Sequence, residues 1–392
     1  MDFERIKSLD EQYIMPTYAR YDVALLRGSG SVVWDVDDKQ YIDFGSGIGV
    51  NSLGYCESGW IEAITKQAQL LQHSSNIYYT LPQLRVAQRL CRSAGMDKVL
   101  FCNSGAEANE CAIKLARKYS FDKYGKGRYE IITLYNSFHG RTITTLSATG
   151  QDVFHNYFFP FTEGFVYAKA NDLEDLKAKL SDKTCGVFIE LIQGEGGVVP
   201  LDKDYVKALE DVCRQKDILL IIDEVQTGIG RTGSLFAFQQ YGVKPDIVTS
   251  AKGLGGGLPI GACLCAEKLA ETLNAGTHGT TYGGNPIACA GAEYVLSVVD
   301  NEQFLKSVSQ KGEYIKSKIS KFDGVKEVRG LGLMIGIVLK ANSKEVSQKC
   351  LENGLLTLTA KDNLRLLPPL NITYEEIDKG LSILEAALKQ MT

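Results

Sequence analysis

Lys252 stands just after an apolar run, residues 246–250, and directly before Gly253-Leu254-Gly255-Gly256-Gly257. Four glycines in five residues leave such a lysine little to cap or pair with. One chemistry open to it is condensation of its amine with a carbonyl cofactor as a Schiff base; the plain alternative is a solvated loop lysine. Asp223 lies 29 residues earlier, behind the aliphatic run Ile218-Leu219-Leu220-Ile221-Ile222. A carboxylate there could cap the next turn, hold magnesium for a nucleotide, or pair with a protonated cofactor ring nitrogen. The magnesium reading needs a partner loop of the form G-x-x-x-x-G-K-[ST]. Gly125-Lys126 is the only Gly-Lys pair, and Ser120 occupies the place of the first glycine.

Three further runs carry candidate groups. Asn103-Ser104-Gly105-Ala106-Glu107-Ala108-Asn109-Glu110 follows an apolar run and enters a helical pattern. Free N–H groups at such a turn either receive a phosphate or are merely capped. Phe138-His139-Gly140-Arg141 gathers two flat side chains and a guanidinium. These suit a planar ring and a carboxylate, or else a core residue beside a surface one. Gly228-Ile229-Gly230-Arg231-Thr232-Gly233 satisfies G-x-G-x-x-G, but residues 223–227 separate it from the strand that a dinucleotide fingerprint closes directly.

The elements that must position these residues are legible as periodicities. Residues 99–102, 130–134, 165–168, 186–190, 218–222, 246–250 and 261–265 are nearly continuous apolar runs, as in strands buried on both faces. Helical patterns alternate with them: Trp60, Ile64, Ala68 and Leu71 share one face, as do Val206, Leu209 and Cys213. An α/β unit with a mostly parallel seven-stranded sheet is predicted. Residues 31–44 read as a hairpin with Asp37-Asp38 in its turn. After Pro286 come one long helix (Phe304, Val308, Ile315, Ile319), strands at 333–339, 355–358 and 364–367, and a last helix (Ile377, Leu381, Leu384, Leu388). This second pattern predicts a smaller α+β unit, so that 51–285 form the large domain while 1–50 and 286–392 build the small one.

Composition narrows the function classes. The chain has 392 residues, 44% hydrophobic and 23% charged, which fits a folded protein with substantial cores. Lys and Arg (43) nearly balance Asp and Glu (47), with no block of like charge, so neither nucleic acid nor an acidic membrane is an expected partner. No apolar stretch reaches the roughly 18 residues of a span, and residues 1–12 are too charged for a secretory signal, so a cytoplasmic protein is expected. None of the ten cysteines forms a C-x-x-C pair, and no His or Cys group has ligand spacing; neither a disulfide framework nor a metal is expected.

Taken together, these runs and Gly279-Thr280-Thr281-Tyr282-Gly283-Gly284-Asn285-Pro286 resemble the class III pyridoxal-phosphate aminotransferases along essentially the whole chain. Within that class, Met15-Pro16-Thr17-Tyr18-Ala19-Arg20, Ser75-Asn76-Ile77-Tyr78-Tyr79 and Gln193-Gly194-Glu195-Gly196-Gly197 are most similar to members acting on N-acetylornithine. The resemblance implies a fold-type I transferase, pyridoxal 5'-phosphate as cofactor, and a homodimer with shared sites. It implies transfer of the terminal amine of N-acetylornithine to 2-oxoglutarate, as in arginine biosynthesis. Lys252 would bind the cofactor and carry a proton, and Asp223 would hold the ring nitrogen. Phe138 and Val225 would flank the ring, His139 would belong to the aromatic pair, and Gln226 would bond the phenolic oxygen. Ser104, Gly105 and Ala106 would cup the phosphate, with Thr281 reaching it from a second subunit. Arg141, near Thr280, would bind the distal carboxylate, and Arg365 the α-carboxylate of 2-oxoglutarate or glutamate, with Glu195 covering Arg365 when no carboxylate is there. Other ω-amine donors in the same class are succinyl-diaminopimelate, succinylornithine, ornithine and 4-aminobutyrate. One run, Gly54-Tyr55-Cys56-Glu57-Ser58-Gly59, departs from the family pattern at a place that carries no cofactor role.

Overall fold

The structure, a computed structural model, describes residues 1–391. Its largest sheet has seven strands in the order Lys98–Cys102, Gly261–Cys265, Ile247–Ser250, Leu219–Asp223, Thr184–Ile189, Glu130–Leu134, Phe165–Ala168. Gly261–Cys265 runs antiparallel to both neighbours, and the remaining adjacent pairs are parallel. Four of these strands are buried at every residue, which is why they read as unbroken apolar runs. Alternation still divides the two faces. Leu219 and Ile221 join the core beneath helix Gly105–Tyr124, with Cys111, Ala112 and Ala116. Leu220 and Ile222 join the opposite core with Val206, Leu209 and Cys213 of helix Lys203–Gln215.

Two four-stranded sheets are built from the chain ends. The first, Leu25–Ser29, Val32–Asp35, Gln40–Asp43 and Leu355–Leu356, joins N-terminal strands to a C-terminal one. Val32–Asp35 and Gln40–Asp43 form the expected antiparallel hairpin, and Asp35 Oδ1 accepts from Asp37 N (3.0 Å) and Lys39 N (2.9 Å) across its turn. The second sheet has the order Val325–Leu331, Met334–Leu339, Asn363–Leu366, Leu358–Ala360. Among the described residues, no helix is long and apolar enough to cross a membrane.

Three details differ from expectation. Where one long helix is expected after residue 285 there are two, Pro286–Val299 and Glu302–Ile319, because Asn285 and Asn301 each cap a separate N-terminus. The strand Val325–Leu331 has no counterpart among the expected elements: it is half-exposed and carries Lys326, Glu327 and Arg329, which hide its period. The run 355–358 is not one strand, since Leu355 and Leu356 pair with Ile42 and Asp43 while Leu358 pairs with Arg365. The unusual run 54–59 has local work: Tyr55 donates to buried Asp43 (2.8 Å), and Glu57 caps helix Ser58–Leu70 by accepting from Trp60 N (2.7 Å).

Candidate active site

Five strands of the large sheet point the same way and end around one cavity of about 450 Å³. Ser104 and Gly105 follow the first, Phe138 and Arg141 the second, Glu190 the third; Asp223 ends the fourth, and Lys252 follows the fifth. Carboxyl ends of parallel strands are where such sheets collect ligand groups.

Lys252 sits in the short 3-10 helix Lys252–Gly255 at φ +39°, a backbone conformation held by the loop around it. Its amine makes no hydrogen bond or ion pair among the described residues. Burial pushes the amine below its ordinary value and Arg365 adds to this, while Glu195, Asp223 and Glu190 pull the other way. A neutral amine is the form that attacks a carbonyl.

Asp223 is buried and fully engaged. Oδ2 lies 2.8 Å from Asn109 Nδ2 and 2.8 Å from His139 Nδ1, and Oδ1 accepts from Val225 N at 3.0 Å. His139 therefore does not join Phe138 as a stacking ring. Its ring is buried on Phe188, with centroids 4.1 Å apart and planes 16° apart, and it serves Asp223 instead. Both residues line the cavity, but the His139 ring is buried against Phe188 whereas Phe138 is only half-buried.

Helix Gly105–Tyr124 opens at this cavity. Ser104 caps it by accepting from Glu107 N (3.2 Å), and the N–H groups of Gly105 and Ala106 have no carbonyl one turn ahead. A Cβ on Gly105 would meet Val225 Cγ1 at 2.7 Å, so glycine is required for the helix start to lie this close to residue 225. Glu190 accepts from Phe138 N (2.9 Å) and Gly194 N (3.3 Å). Burial and the neighbouring Asp223 push its carboxyl well above the ordinary range.

Two arginines differ in their surroundings. Arg365 is buried, and its Nη1 donates to Glu195 Oε1 (2.5 Å) and to Gln226 Oε1 (3.1 Å). Gln226 Nε2 in turn lies 3.4 Å from Glu195 Oε1, so Gln226 bridges the pair as well as lining the cavity. Burial would raise the Glu195 carboxyl, but Arg365 prevails and holds it below the usual carboxylate range. Arg141 is exposed and has no acidic partner among the described residues; its guanidinium lies over the rings of Phe154 (4.1 Å) and Phe138 (5.5 Å).

The structure does not bring every expected residue to this cavity. Thr281, expected to act from a second subunit, is exposed and lines no wall of its own chain's cavity, and the Thr280 hydroxyl accepts from Asn103 Nδ2 (3.3 Å) beside a second cavity. The run 228–233 is a packed turn: at Gly230 (φ +82°) a Cβ would collide with Val299, and Arg231 donates to Leu333 O and Pro368 O. Glu224 faces away, its oxygens taken by the Thr227 hydroxyl and Phe238 N, which leaves the nucleotide reading of Asp223-Glu224 without its second acid. Asn109 and Glu190 are site residues that the motifs do not single out, and Phe154, outside the cavity wall, is a further unsignalled contact of Arg141. For Asn109 a signal exists: it stands at the head of the stripe Ala112, Ile113, Ala116, where a polar residue at an apolar position needs a partner.

The sequence profile of the family Aminotransferase class-III matches residues 13–388. The acetylornithine aminotransferase of Haemophilus ducreyi is 52% identical over 394 residues, covering all of both chains. Among solved structures, the N-acetylornithine aminotransferase of Stenotrophomonas maltophilia is 38% identical, with a TM-score of 0.85 and 98% of each chain covered. An ornithine aminotransferase of Toxoplasma gondii, described with partial occupancy of PLP at its active site, is 33% identical with a TM-score of 0.94, covering 99% of this chain and 94% of its own.

Proposed function

Since this chain belongs to the class-III aminotransferases, we propose that its cavity holds pyridoxal phosphate and that it moves the terminal amino group of N-acetylornithine to 2-oxoglutarate, giving N-acetylglutamate semialdehyde and glutamate. The residues present fit that cofactor. An unpartnered lysine amine, a buried anchored carboxylate, and a helix start bare of Cβ atoms at Gly105 all border one cavity. When bound, pyridoxal phosphate supplies an aldehyde that takes up an amine and a protonated ring that accepts the electron pair left by the departing proton.

The chain's own residues do the rest. The N–H groups of Gly105 and Ala106, with Ser104, would hold the phosphate, and Thr281 of a second copy of the chain would complete that cup. Phe138 and Val225 would flank the ring, and Gln226 would reach its phenolic oxygen. Asp223, fixed by Asn109 and His139, would keep the ring nitrogen protonated. Lys252 Nζ would remove a proton from the substrate carbon and return it nearby, a task suited to an amine whose burial favours the neutral form.

The observation that carries the donor class is the contrast between the two arginines. Arg141 is open to a carboxylate common to both substrates, whereas Arg365 is already covered by Glu195. N-acetylornithine places only methylenes near Arg365; 2-oxoglutarate places its α-carboxylate there and would displace Glu195. An arginine left buried and bare in the first case would cost several kcal/mol. Exposed apolar side chains at Ile77, Tyr78, Tyr79, Leu81 and Tyr282 support association of two copies near Thr281. The strand membership of the three larger sheets supports a division into 51–285 and a unit of 1–50 with 286–392.

The test is kcat/KM with 2-oxoglutarate for acetylornithine, succinyl-diaminopimelate, succinylornithine, ornithine and 4-aminobutyrate. Highest values for acetylornithine support the reading, and a clear preference for ornithine or 4-aminobutyrate overturns it.

A further inference from the structure

Arg141 is the one arginine lining the cavity among the described residues, and its placement depends on a residue outside the cavity's own wall. Phe154 belongs to the short 3-10 helix Asp152–Phe154, downstream of helix Ile143–Ala148. Its half-buried ring lies 4.1 Å beneath the Arg141 guanidinium and meets Phe138 edge-on, with centroids 6.0 Å apart and planes 73° apart. Neither a carboxylate nor a carbonyl oxygen of the described residues holds the guanidinium, so the two rings are what restrains it. We propose that Phe154 is a positioning residue for substrate recognition, holding Arg141 flat so that its N–H groups face the carboxylate shared by donor and acceptor.

This rests on the reading that Arg141 binds that carboxylate, and it adds a prediction about the donor. In N-acetylornithine the carboxylate and the acylated nitrogen are borne by one carbon. With the carboxylate on Arg141, the acyl-amide on the same carbon would lie beside the Arg141–Phe154 pair, next to an apolar ring and not an acid. A free α-ammonium at the same place would be a second cation beside the guanidinium, sharing the one substrate carboxylate with Arg141 and facing an apolar ring instead of an acid. The pair therefore favours an acylated nitrogen over a charged one. It joins carboxylate binding and acyl preference in one contact.

The experiment compares Phe154→Ala, Phe154→Tyr and Arg141→Ala in the full-length holoenzyme. Steady-state KM and kcat are measured for N-acetylornithine, ornithine, 2-oxoglutarate and 1,4-diaminobutane, an ω-amine with no carboxylate. Phe154→Ala is expected to raise KM for both carboxylate-bearing reaction partners by roughly 3- to 30-fold, the range of a partly desolvated cation–π contact, with kcat nearly constant. It should also narrow the ratio between acetylornithine and ornithine, leave the diamine unchanged, and be repaired by Phe154→Tyr. Equal losses on the diamine, or no loss in Phe154→Ala while Arg141→Ala is impaired, overturns the role of Phe154. If Arg141→Ala itself spares the carboxylate substrates, the underlying reading of Arg141 fails instead.

Discussion

Glu195 Oε1 lies 2.5 Å from Arg365 Nη1, and the two differ in exposure: the arginine side chain is 3% accessible and the glutamate 29%. The buried member is thus fixed in the strand Asn363–Leu366 while the acid, on the turn after Ile192–Gln193, has room to leave. Such a pair can cover or release a positive charge beside the cavity without moving the charge itself. Glu195→Gln should leave Arg365 open, so that donors with an α-carboxylate at the reacting carbon gain relative to acetylornithine. The ratio of kcat/KM for glutamate over acetylornithine, compared with wild type, reads this directly; an unchanged ratio contradicts it.

Lys252→Ala should abolish multiple turnovers while the fold persists. The amine has no hydrogen bond or ion pair among the described residues to lose, and alanine inherits the same φ +39° backbone, so apoprotein stability should shift by no more than about 1 kcal/mol. Thermal unfolding and activity together check this, and near-normal turnover in the variant would remove Lys252 from its role.

Burial lowers the Lys252 amine, so its neutral form should be abundant below the roughly 10.4 of a free lysine. Trapping of apoprotein by pyridoxal phosphate and borohydride should therefore rise with pH and reach its plateau at a midpoint clearly below that value. A midpoint at or above it would contradict the buried environment.

Asp223→Asn should lower kcat by roughly 10²–10³, the scale of losing one preorganised charge contact at a reacting group. The amide also presents an N–H₂ to donors on Asn109 and His139. Added magnesium should change nothing, and a strict magnesium requirement in the wild type would revive a nucleotide role for the 218–224 strand end.

Asn109→Ala removes one hydrogen bond to a carboxylate, worth about 1.5–3 kcal/mol, and also leaves His139 O without its 2.7 Å donor. Asn109→Asp should be worse, because it sets a second negative charge against Asp223. Measuring kcat for both variants checks the order; equal, near-wild-type values would make Asn109 incidental.

Much of the fold and the site is legible in the amino-acid order. Strands buried on both faces advertise themselves as unbroken aliphatic runs, and the succession of acid, lysine and glycines along the chain places Asp223 and Lys252 at strand ends. Orientation is what the sequence hides. Composition does not reveal that Gly261–Cys265 runs against its neighbours, and the polar edge strand Val325–Leu331 has no apolar signature. Nor does adjacency in sequence separate the half-buried Phe138 from His139, whose buried ring stacks on Phe188 and serves Asp223. Phe154 carries no sequence signal because its contact with Arg141 depends on how the chain returns after helix Ile143–Ala148.

The proposal that the donor reacts through a terminal amine stands or falls with Arg365→Ala, followed in single turnovers of each half-reaction by the change in visible absorbance. Loss of a charge-assisted contact to the α-carboxylate should slow the 2-oxoglutarate half by the equivalent of roughly 1.5–3 kcal/mol. The acetylornithine half, in which Glu195 already covers Arg365, should be far less affected. Equal losses in the two halves would contradict the gate and the donor class inferred from it.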